Sequence, residues 1–170
     1  MTRCSLAAIL SANMSERAVF ERLMDVLDEV VERGESIHPN PGDFGTGIPL
    51  YRTEIHTIRA IGENSRINVS RLADHMGITK GAVSQTIGKL VRKGLVRKSR
   101  SPDNAKEVLL ELTDLGWIGY HSHEQFHMEM FEAFHGYFGH RLKPSLEALT
   151  RAVSDLNGVL DTYEQRRKGA

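Results

Sequence analysis

One continuous segment, Ile67 to Thr113, constrains the fold of this chain more than any other part of the sequence. It contains two short amphipathic helical patterns that meet at Gly77. Two β-prone stretches follow, joined by the turn residues Pro102, Asp103 and Asn104. The order helix, turn, helix, strand, turn, strand predicts a winged helix-turn-helix. In such a fold the second helix enters the major groove of DNA.

Residues with strong positional preferences mark the ends of both predicted helices. Ser70 is a suitable N-cap for the first helix, and Gly77 suits a left-handed cap at its end. Thr79 is a suitable N-cap for the second helix, which we expect to end at Gly94. The apolar alternation from Val108 to Leu112 predicts the return strand of a hairpin. Each element of the winged segment is therefore indicated by its own local sequence.

Positive charge is concentrated in the second helix and the hairpin. From Thr79 to Lys106 the chain carries eight basic residues against one acidic residue, a net charge of +7, whereas the whole chain is formally neutral. Such a surface is typical of a protein that binds the phosphates of double-stranded DNA. We predict DNA contacts from Thr79, Lys80, Gly81, Ser84, Gln85, Lys89, Arg97, Lys98, Arg100, Asn104 and Lys106.

The predicted DNA contacts differ in kind with their position. The start of the second helix, from Thr79 to Gly81, offers backbone N–H groups and short side chains to phosphate. Ser84 and Gln85 lie further along the helix, where glutamine can pair with adenine. The alternative interpretation is that these two side chains are only solvent-facing. The basic residues of the hairpin suit phosphate or minor-groove contacts better than base recognition.

Apolar residues at helical spacing predict four further helices outside the winged segment. The first is amphipathic, ends at Gly34 and precedes a loop from Glu35 to Pro49. The second begins with Thr53 as its N-cap. Asp114 begins a long helix after the wing, and Pro144 begins the last one.

The chain is therefore predicted to be mainly α-helical with a small β-hairpin wing. We expect an N-terminal helix and loop over 1–50, a DNA-binding domain over 51–113 and dimerisation helices over 114–170. The terminal helices carry more apolar residues than the winged helix can cover, and such a face usually meets a partner. A two-fold homodimer is the simplest closed arrangement, and it presents two recognition helices to double-stranded DNA.

The composition excludes several classes of protein. The single cysteine, Cys4, excludes an intrachain disulfide and is typical of a reducing compartment. The apolar run from Leu6 to Leu10 is too short to cross a membrane, and we interpret it as the start of a helix. We therefore expect a cytoplasmic protein that does not bind membranes.

Two of the eight histidines share one face of the predicted helix that follows the wing. His123 and His127 are four residues apart, a spacing that lets two imidazoles bind one metal ion. His56 and His38 are the best candidates for further ligands, with substitutes in Glu35, Asp43, Glu54, His121 and Glu124. Zinc leads among the divalent transition metals, although residue type does not exclude nickel, iron, manganese or cobalt. The alternative is that these histidines only satisfy backbone carbonyls.

The arrangement of helices and wing resembles the MarR family of bacterial transcriptional regulators over nearly the full length. The resemblance is carried by the sequence ITKGAVSQTIGKLVRKGLV, which begins at Ile78, and by LTDLG, which ends at Gly116. It implies a homodimer on a pseudo-palindromic operator, usually a repressor that a ligand releases. Many members carry Asp-x-Arg in the wing, where this chain has Asn104 and Lys106. Lysine lacks the bidentate fork of arginine.

A narrower resemblance is to the zinc-sensing branch of that family, the AdcR and ZitR type. Members of this branch carry a ligand histidine three residues after a threonine on the second helix, as His56 follows Thr53 here. Their other ligand histidines correspond to His123 and His127, and a loop glutamate stands near the position of His38. The branch also has a second site that contains a cysteine. Because Cys4 is far away in the sequence, we expect no such site here.

Three other functions are compatible with parts of the sequence. The first keeps the regulator but replaces the metal with a small aromatic or phenolic effector. The residues that could line its cleft are Tyr51, Trp117, Tyr120 and Phe126. A metal-dependent hydrolase is a rival of a different class, but the chain has no His-Glu-x-x-His sequence. A protein-interaction module is disfavoured by the basic recognition segment. We therefore predict a DNA-binding repressor and not an enzyme.

Overall fold

Six α-helices and a three-stranded antiparallel sheet form the part of the chain that the computed structural model describes. The described residues are 15–37, 40–101 and 107–169, and Glu35 and Ser36 are described by their backbone alone. Among the predicted site residues, His38, Asn104 and Lys106 lie outside these ranges, as does the predicted helix start at 6–10. The chain divides into two compact units, of which the first ends at Gly119 and the second begins at Tyr120.

The first unit is a winged helix-turn-helix, which confirms the predicted fold class. The two-residue strand β1 pairs with β3, and β3 pairs in turn with β2, so that the sheet order is β1-β3-β2. The elements are α1 (Glu16–Ile37), α2 (Arg52–Glu63), β1 (Ile67–Asn68), α3 (Val69–Met76), α4 (Lys80–Arg92), β2 (Val96–Arg100), β3 (Val108–Leu112) and the first turns of α5 (Asp114–Phe138).

The core of the first unit is built from the apolar faces of α2, α3, α4 and the sheet. Each helix contributes residues three or four apart, because that spacing places side chains on one face. Strand β3 contributes Leu110 and the turn before β2 contributes Leu95, both fully buried. The buried helical residues are Ile55, Ile58, Ile61, Leu72, Val83, Ile87 and Leu90. This core holds α4 with its other face in solvent.

The start of α5 is hydrogen-bonded to the turn that follows α4. The Thr113 hydroxyl donates to the carbonyl oxygen of Gly94 at 2.7 Å, and the Thr113 N–H donates to that of Leu95 at 3.1 Å. The Gly116 N–H donates to the Thr113 hydroxyl oxygen at 3.1 Å. A Cβ atom at Gly116 would overlap the carbonyl oxygen of Leu95. The glycine of the LTDLG sequence is therefore required by a close backbone approach.

Three of the predicted helix ends in the winged segment are confirmed. Gly77 and Gly94 both have left-handed backbone conformations, with φ of 65° and 73°. The Thr79 hydroxyl oxygen accepts a hydrogen bond from the N–H of Ala82 at 3.2 Å, as an N-cap does. These residues act through their own backbone or their own turn, so the local sequence was sufficient to place them.

Two predicted N-caps are wrong by two residues. Asn68, not Ser70, caps α3, because its side-chain oxygen accepts from the N–H of Arg71 at 2.9 Å. Tyr51, not Thr53, stands at the N-cap of α2, and its N–H donates to the Glu54 carboxylate at 2.9 Å. A capping side chain must sit just outside the helix, and both predicted residues lie within the first turn.

Two helix boundaries and one strand also differ from the prediction. Helix α1 continues through Gly34 to Ile37, since one glycine inside a helix costs only about 1 kcal/mol. Helix α6 (Leu142–Lys168) begins before Pro144, because proline is tolerated in a first helical turn. Strand β1 was not predicted, because two residues are too few for an alternating pattern.

The second unit consists of the remainder of α5, a 3₁₀ turn at Gly139–Arg141 and helix α6. Large apolar side chains on both helices are exposed in the single chain. They include Met128, Phe131, Phe134, Tyr137, Leu149, Val153, Val159, Leu160 and Tyr163. Within the described ranges, no helix is long and apolar enough to cross a membrane.

Candidate nucleic-acid interface and histidine pair

Helix α4 presents a polar face to solvent directly opposite its buried apolar face. Val83, Ile87 and Leu90 point into the core. The residues of this helix that were predicted to contact DNA are all exposed, namely Lys80, Gly81, Ser84, Gln85 and Lys89. The face contains no acidic side chain, so an approaching phosphate meets only positive and neutral groups. The geometry of this helix suits insertion into a major groove.

The basic residues of strand β2 are exposed as well. Arg97, Lys98 and Arg100 all face solvent, while Val96 is buried. The Nε atom of Arg97 donates to the Glu111 carboxylate of strand β3 at 2.9 Å. The Arg97 side chain is 68% exposed in this pair, and surface ion pairs contribute only about 0–1 kcal/mol. A phosphate can therefore compete with Glu111 for this guanidinium.

Lys93 is one of the eight basic residues counted from the sequence, but its ammonium group is bound within the protein. Its Nζ atom lies 2.8 and 2.7 Å from the two carboxylate oxygens of Glu54 and 2.7 Å from the carbonyl oxygen of Pro49. An ammonium group has three N–H bonds to donate, and all three have acceptors here. Counting charges could not reveal this pairing, because Glu54 is 39 residues away in the sequence.

His123 and His127 lie side by side on α5, as their spacing predicted. Their ring centroids are 4.5 Å apart with the planes at 74°. His123 is fully buried, and its Nδ1 lies 4.0 Å from a carboxylate oxygen of Glu124. His127 is half-buried, and its Nε2 atom is buried without a hydrogen-bond partner among the described residues. The buried Nε2 atom of His127 therefore lies next to the imidazole of His123.

The remaining predicted ligands have the following places. His56 lies on α2, where it lines a cleft of about 340 Å³ with Arg59, Glu63, His75 and Met76. Glu54 is already bound to Lys93, and His121 is exposed with its ring against Tyr120. Across residues 15–37, 40–101 and 107–169, no three His, Cys, Asp or Glu side chains are close enough together to hold a metal ion.

Two of the aromatic residues predicted to line an effector cleft, Tyr51 and Trp117, lie in different places in the first unit. The ring of Tyr51 lies 5.8 Å from the ammonium of Lys93. Trp117 lines a cleft of about 240 Å³ together with Arg66 and Arg97. Glu111 lines the same cleft and its carboxylate pairs with Arg97, so Arg66 is the guanidinium that stands beside the indole without that pairing.

The fold and its exposed basic helix define the class of this protein as a winged helix-turn-helix protein. Residues 50–108 match the model of the MarR family. Over 114 residues the chain is 31% identical to the uncharacterized HTH-type transcriptional regulator YhjH of Bacillus subtilis (strain 168). This match covers 67% of the chain and 65% of YhjH, slightly less than two thirds of that relative's length.

Two solved structures are similar over most of the chain. FabT of Streptococcus pneumoniae, solved in complex with DNA, has a TM-score of 0.62 at 22% identity and covers 86% of this chain and 98% of its own. The zinc-responsive MarR family member ZitR of Lactococcus lactis has a TM-score of 0.63 at 17% identity and covers 84% of this chain and 99% of its own. At these identities the likeness is one of fold.

The winged helix-turn-helix region of this chain, residues 50–108, is therefore of the MarR type. YhjH is described as a transcriptional regulator and FabT was solved with DNA, and neither description is that of the metal-dependent hydrolase considered from the sequence. The resemblance inferred from the recognition segment and the LTDLG sequence is thereby confirmed.

Proposed function

We propose that this protein is a homodimeric transcriptional repressor that binds a pseudo-palindromic operator and responds to a transition metal, with zinc as the first candidate. The observation that carries the DNA-binding part is the exposed basic face of α4. The observation that carries the metal part is the buried imidazole pair on α5. Each part has its own test.

Side chains on α4 and on the wing strand are suited to different DNA contacts, to base edges and to phosphates respectively. Gln85 lies in the middle of the exposed face and can bond an adenine edge through both atoms of its amide. Lys98 lies on the wing strand, where it suits a phosphate. FabT, which shares the fold, was solved in complex with DNA. The same helix is therefore the natural base-reading element of this chain.

Replacing Gln85 with alanine is expected to relax sequence preference by about 1–3 kcal/mol at one base pair in each half-site. Lys98→Ala should weaken binding to all DNA and lower the salt dependence by about one unit. Binding would be measured by fluorescence anisotropy on an operator selected in vitro and on a scrambled duplex. Equal losses of specific and non-specific affinity in Gln85→Ala would show that this side chain does not read a base.

A homodimer would cover the apolar surface that one chain leaves exposed. On α1 alone, Phe20, Val30 and Val31 are each about 60% exposed, and α5 and α6 expose further large side chains. Such a surface on a single chain exceeds what solvent-facing helices ordinarily carry. A two-fold dimer would also supply the second recognition helix that a palindromic site requires.

The protein is expected to sediment as a dimer at micromolar concentration. It should protect two half-sites whose centres are about 10 bp apart, because each recognition helix must meet the same side of the duplex. Analytical ultracentrifugation and footprinting measure the two properties independently. A monomer that protects one half-site would refute the proposal.

The histidine pair supports a metal-responsive regulator. A buried imidazole nitrogen without a hydrogen bond is unfavourable, and a metal ion would satisfy the Nε2 atom of His127. His123 adds a second imidazole at the spacing that one ion can bridge. Zinc takes four ligands, and His56 and His38 stay the proposed additional ones. ZitR, of the same fold, is described as zinc-responsive.

A metal bound to this pair would act on the helix that follows the wing. Thr113, the residue before α5, is hydrogen-bonded to the backbone at Gly94 and Leu95, directly after the recognition helix. Helix α5 runs without a break from Asp114 past both histidines. Ligands would alter DNA affinity to the extent that they bind one arrangement of α5 better than another.

A small aromatic acid is the second candidate effector. The cleft beside Trp117 places the Arg66 guanidinium next to an indole, which suits a planar carboxylate, while Arg97 is paired there with Glu111. Thermal shift assays with zinc chloride, and separately with benzoate, distinguish the two effectors. A shift with zinc that the chelator EDTA reverses supports the metal, whereas a shift with benzoate that Arg66→Ala removes supports the acid.

A further inference from the structure

The contacts of Lys93 join three segments that are distant in sequence. Lys93 caps the C-terminal end of α4, the recognition helix. Its ammonium donates to both carboxylate oxygens of Glu54 in the first turn of α2 and to the carbonyl of Pro49 in the preceding loop. Glu54 in turn accepts the N–H of Tyr51, the N-cap of α2. One ion pair therefore holds the end of α4 against the beginning of α2.

This pair is shielded from solvent on its acidic side. The Glu54 side chain is 4% exposed and the Lys93 side chain is 25% exposed. Removing charges from water is costly, so a buried pair contributes little net stability compared with apolar side chains of the same size. Its directional hydrogen bonds do, however, restrict how the two helices are arranged. The pair is thus better suited to defining geometry than to adding stability.

We propose that Glu54 and Lys93 are positioning residues for DNA recognition, which set the orientation of α4 without contacting DNA. The inference rests on the proposed DNA-binding function and not on the proposed metal. It assigns a role to a basic residue of the segment from Ile78 to Val96 whose ammonium is bound within the protein.

A small error in the orientation of α4 would be enough to break base contacts. A helix of this length is about 20 Å long, so a tilt of about 10° around its C-terminal end moves its N-terminal end by roughly 3 Å. That displacement equals a whole hydrogen-bond length. Lys80, Ser84 and Gln85 lie towards the end that moves. The ion pair at Lys93 therefore controls residues that it does not touch.

The test compares Lys93 with a basic residue one helical turn earlier. The variants are Lys93→Met, Glu54→Gln, the double variant Glu54→Gln/Lys93→Met and the control Lys89→Met, whose side chain is exposed on α4. The full chain is used, and circular dichroism confirms that each variant is folded at the assay temperature. The probes are a duplex selected in vitro by the wild-type protein from random-sequence DNA and a scrambled duplex of the same composition.

Two quantities separate positioning from phosphate contact, namely the salt dependence of binding and the ratio of affinities for the selected and scrambled duplexes. Lys93→Met and the double variant should lower that ratio about tenfold, the effect of losing one base contact, with an unchanged salt slope. Lys89→Met should lower the salt slope by about one unit with little change in the ratio. The losses in the two single variants should not add, because both break the same pair.

Two results would overturn the proposal. A salt slope that falls by about one unit in Lys93→Met would identify a phosphate contact. A double variant that is folded and keeps the wild-type affinity ratio would show that the pair only supports the fold. The double variant leaves no uncompensated buried charge, so it remains informative if Lys93→Met alone does not fold.

Discussion

Replacing Gly116 with alanine is expected to destabilise the winged helix-turn-helix by at least about 3 kcal/mol, since overpacking and a displaced backbone hydrogen bond both contribute. The added Cβ would overlap the carbonyl oxygen of Leu95, and it would also come within 3.2 Å of the Leu112 side chain. Backbone atoms cannot move aside as a flexible side chain can. Unfolding in urea, followed by circular dichroism, measures the loss.

The same helix contains a matched control for this substitution. Gly136 also lies within α5, but a Cβ atom there meets nothing within 4 Å. Gly136→Ala should be neutral or stabilise the protein by up to about 1 kcal/mol, because alanine favours a helix more than glycine does. If both variants unfold at the same urea concentration, the close approach at Gly116 does not restrict this position.

Removing both imidazoles of the histidine pair is expected to lower zinc affinity at least about 100-fold, because two of the four ligands of zinc are lost. His123→Ala/His127→Ala would be compared with wild type by titration against a chromophoric chelator. The protein should carry no affinity tag, since histidine tags bind the same ion. Stoichiometry in the wild type should be one ion per subunit.

The control for this experiment changes two histidines outside the pair and outside the candidate ligands. His135→Ala/His140→Ala removes as many imidazoles, and both side chains are exposed. It should bind zinc as the wild type does, whereas His56→Ala should weaken binding if this residue is the third ligand. Equal affinity and stoichiometry in the His123/His127 double variant and the wild type would exclude this site as the zinc sensor.

A metal site and a metal sensor are separate properties, and DNA binding distinguishes them. In the wild type, adding EDTA should change the affinity for the selected duplex if metal bound to the histidine pair of α5 controls DNA binding as proposed. In the His123/His127 double variant, EDTA should have no effect. Zinc binding that leaves DNA affinity unchanged in the wild type would mean a site without a regulatory role. Either result leaves the family assignment and the role of α4 intact.

The elements that the sequence predicted correctly are those whose cause is local. Gly77 and Gly94 end their helices because glycine tolerates a left-handed backbone, and Thr79 caps α4 within its own first turn. The i, i+4 relation of His123 and His127 follows from helical geometry alone. Such features need no knowledge of the rest of the fold.

The errors at the other helix ends have a non-local cause. Asn68 belongs to strand β1 and pairs with Leu109, so α3 begins where that pairing stops. Ser70 was an equally good cap by residue type, but it lies inside the first turn. Likewise, Tyr51 rather than Thr53 is the N-cap of α2, next to the bridge between Gly42 and Leu50. Choosing between neighbouring candidates required the tertiary contacts.

By itself, the sequence determined the winged helix-turn-helix, the exposed polar face of α4 and the histidine pair, because periodicity and caps act over a few residues. Only the tertiary structure showed that Lys93 is bound by Glu54 and that Gly116 lies against the carbonyl of Leu95. Both contacts join residues far apart in the chain. Ion pairs and close backbone approaches depend on where distant segments of the chain meet, and a local sequence pattern does not predict where that is.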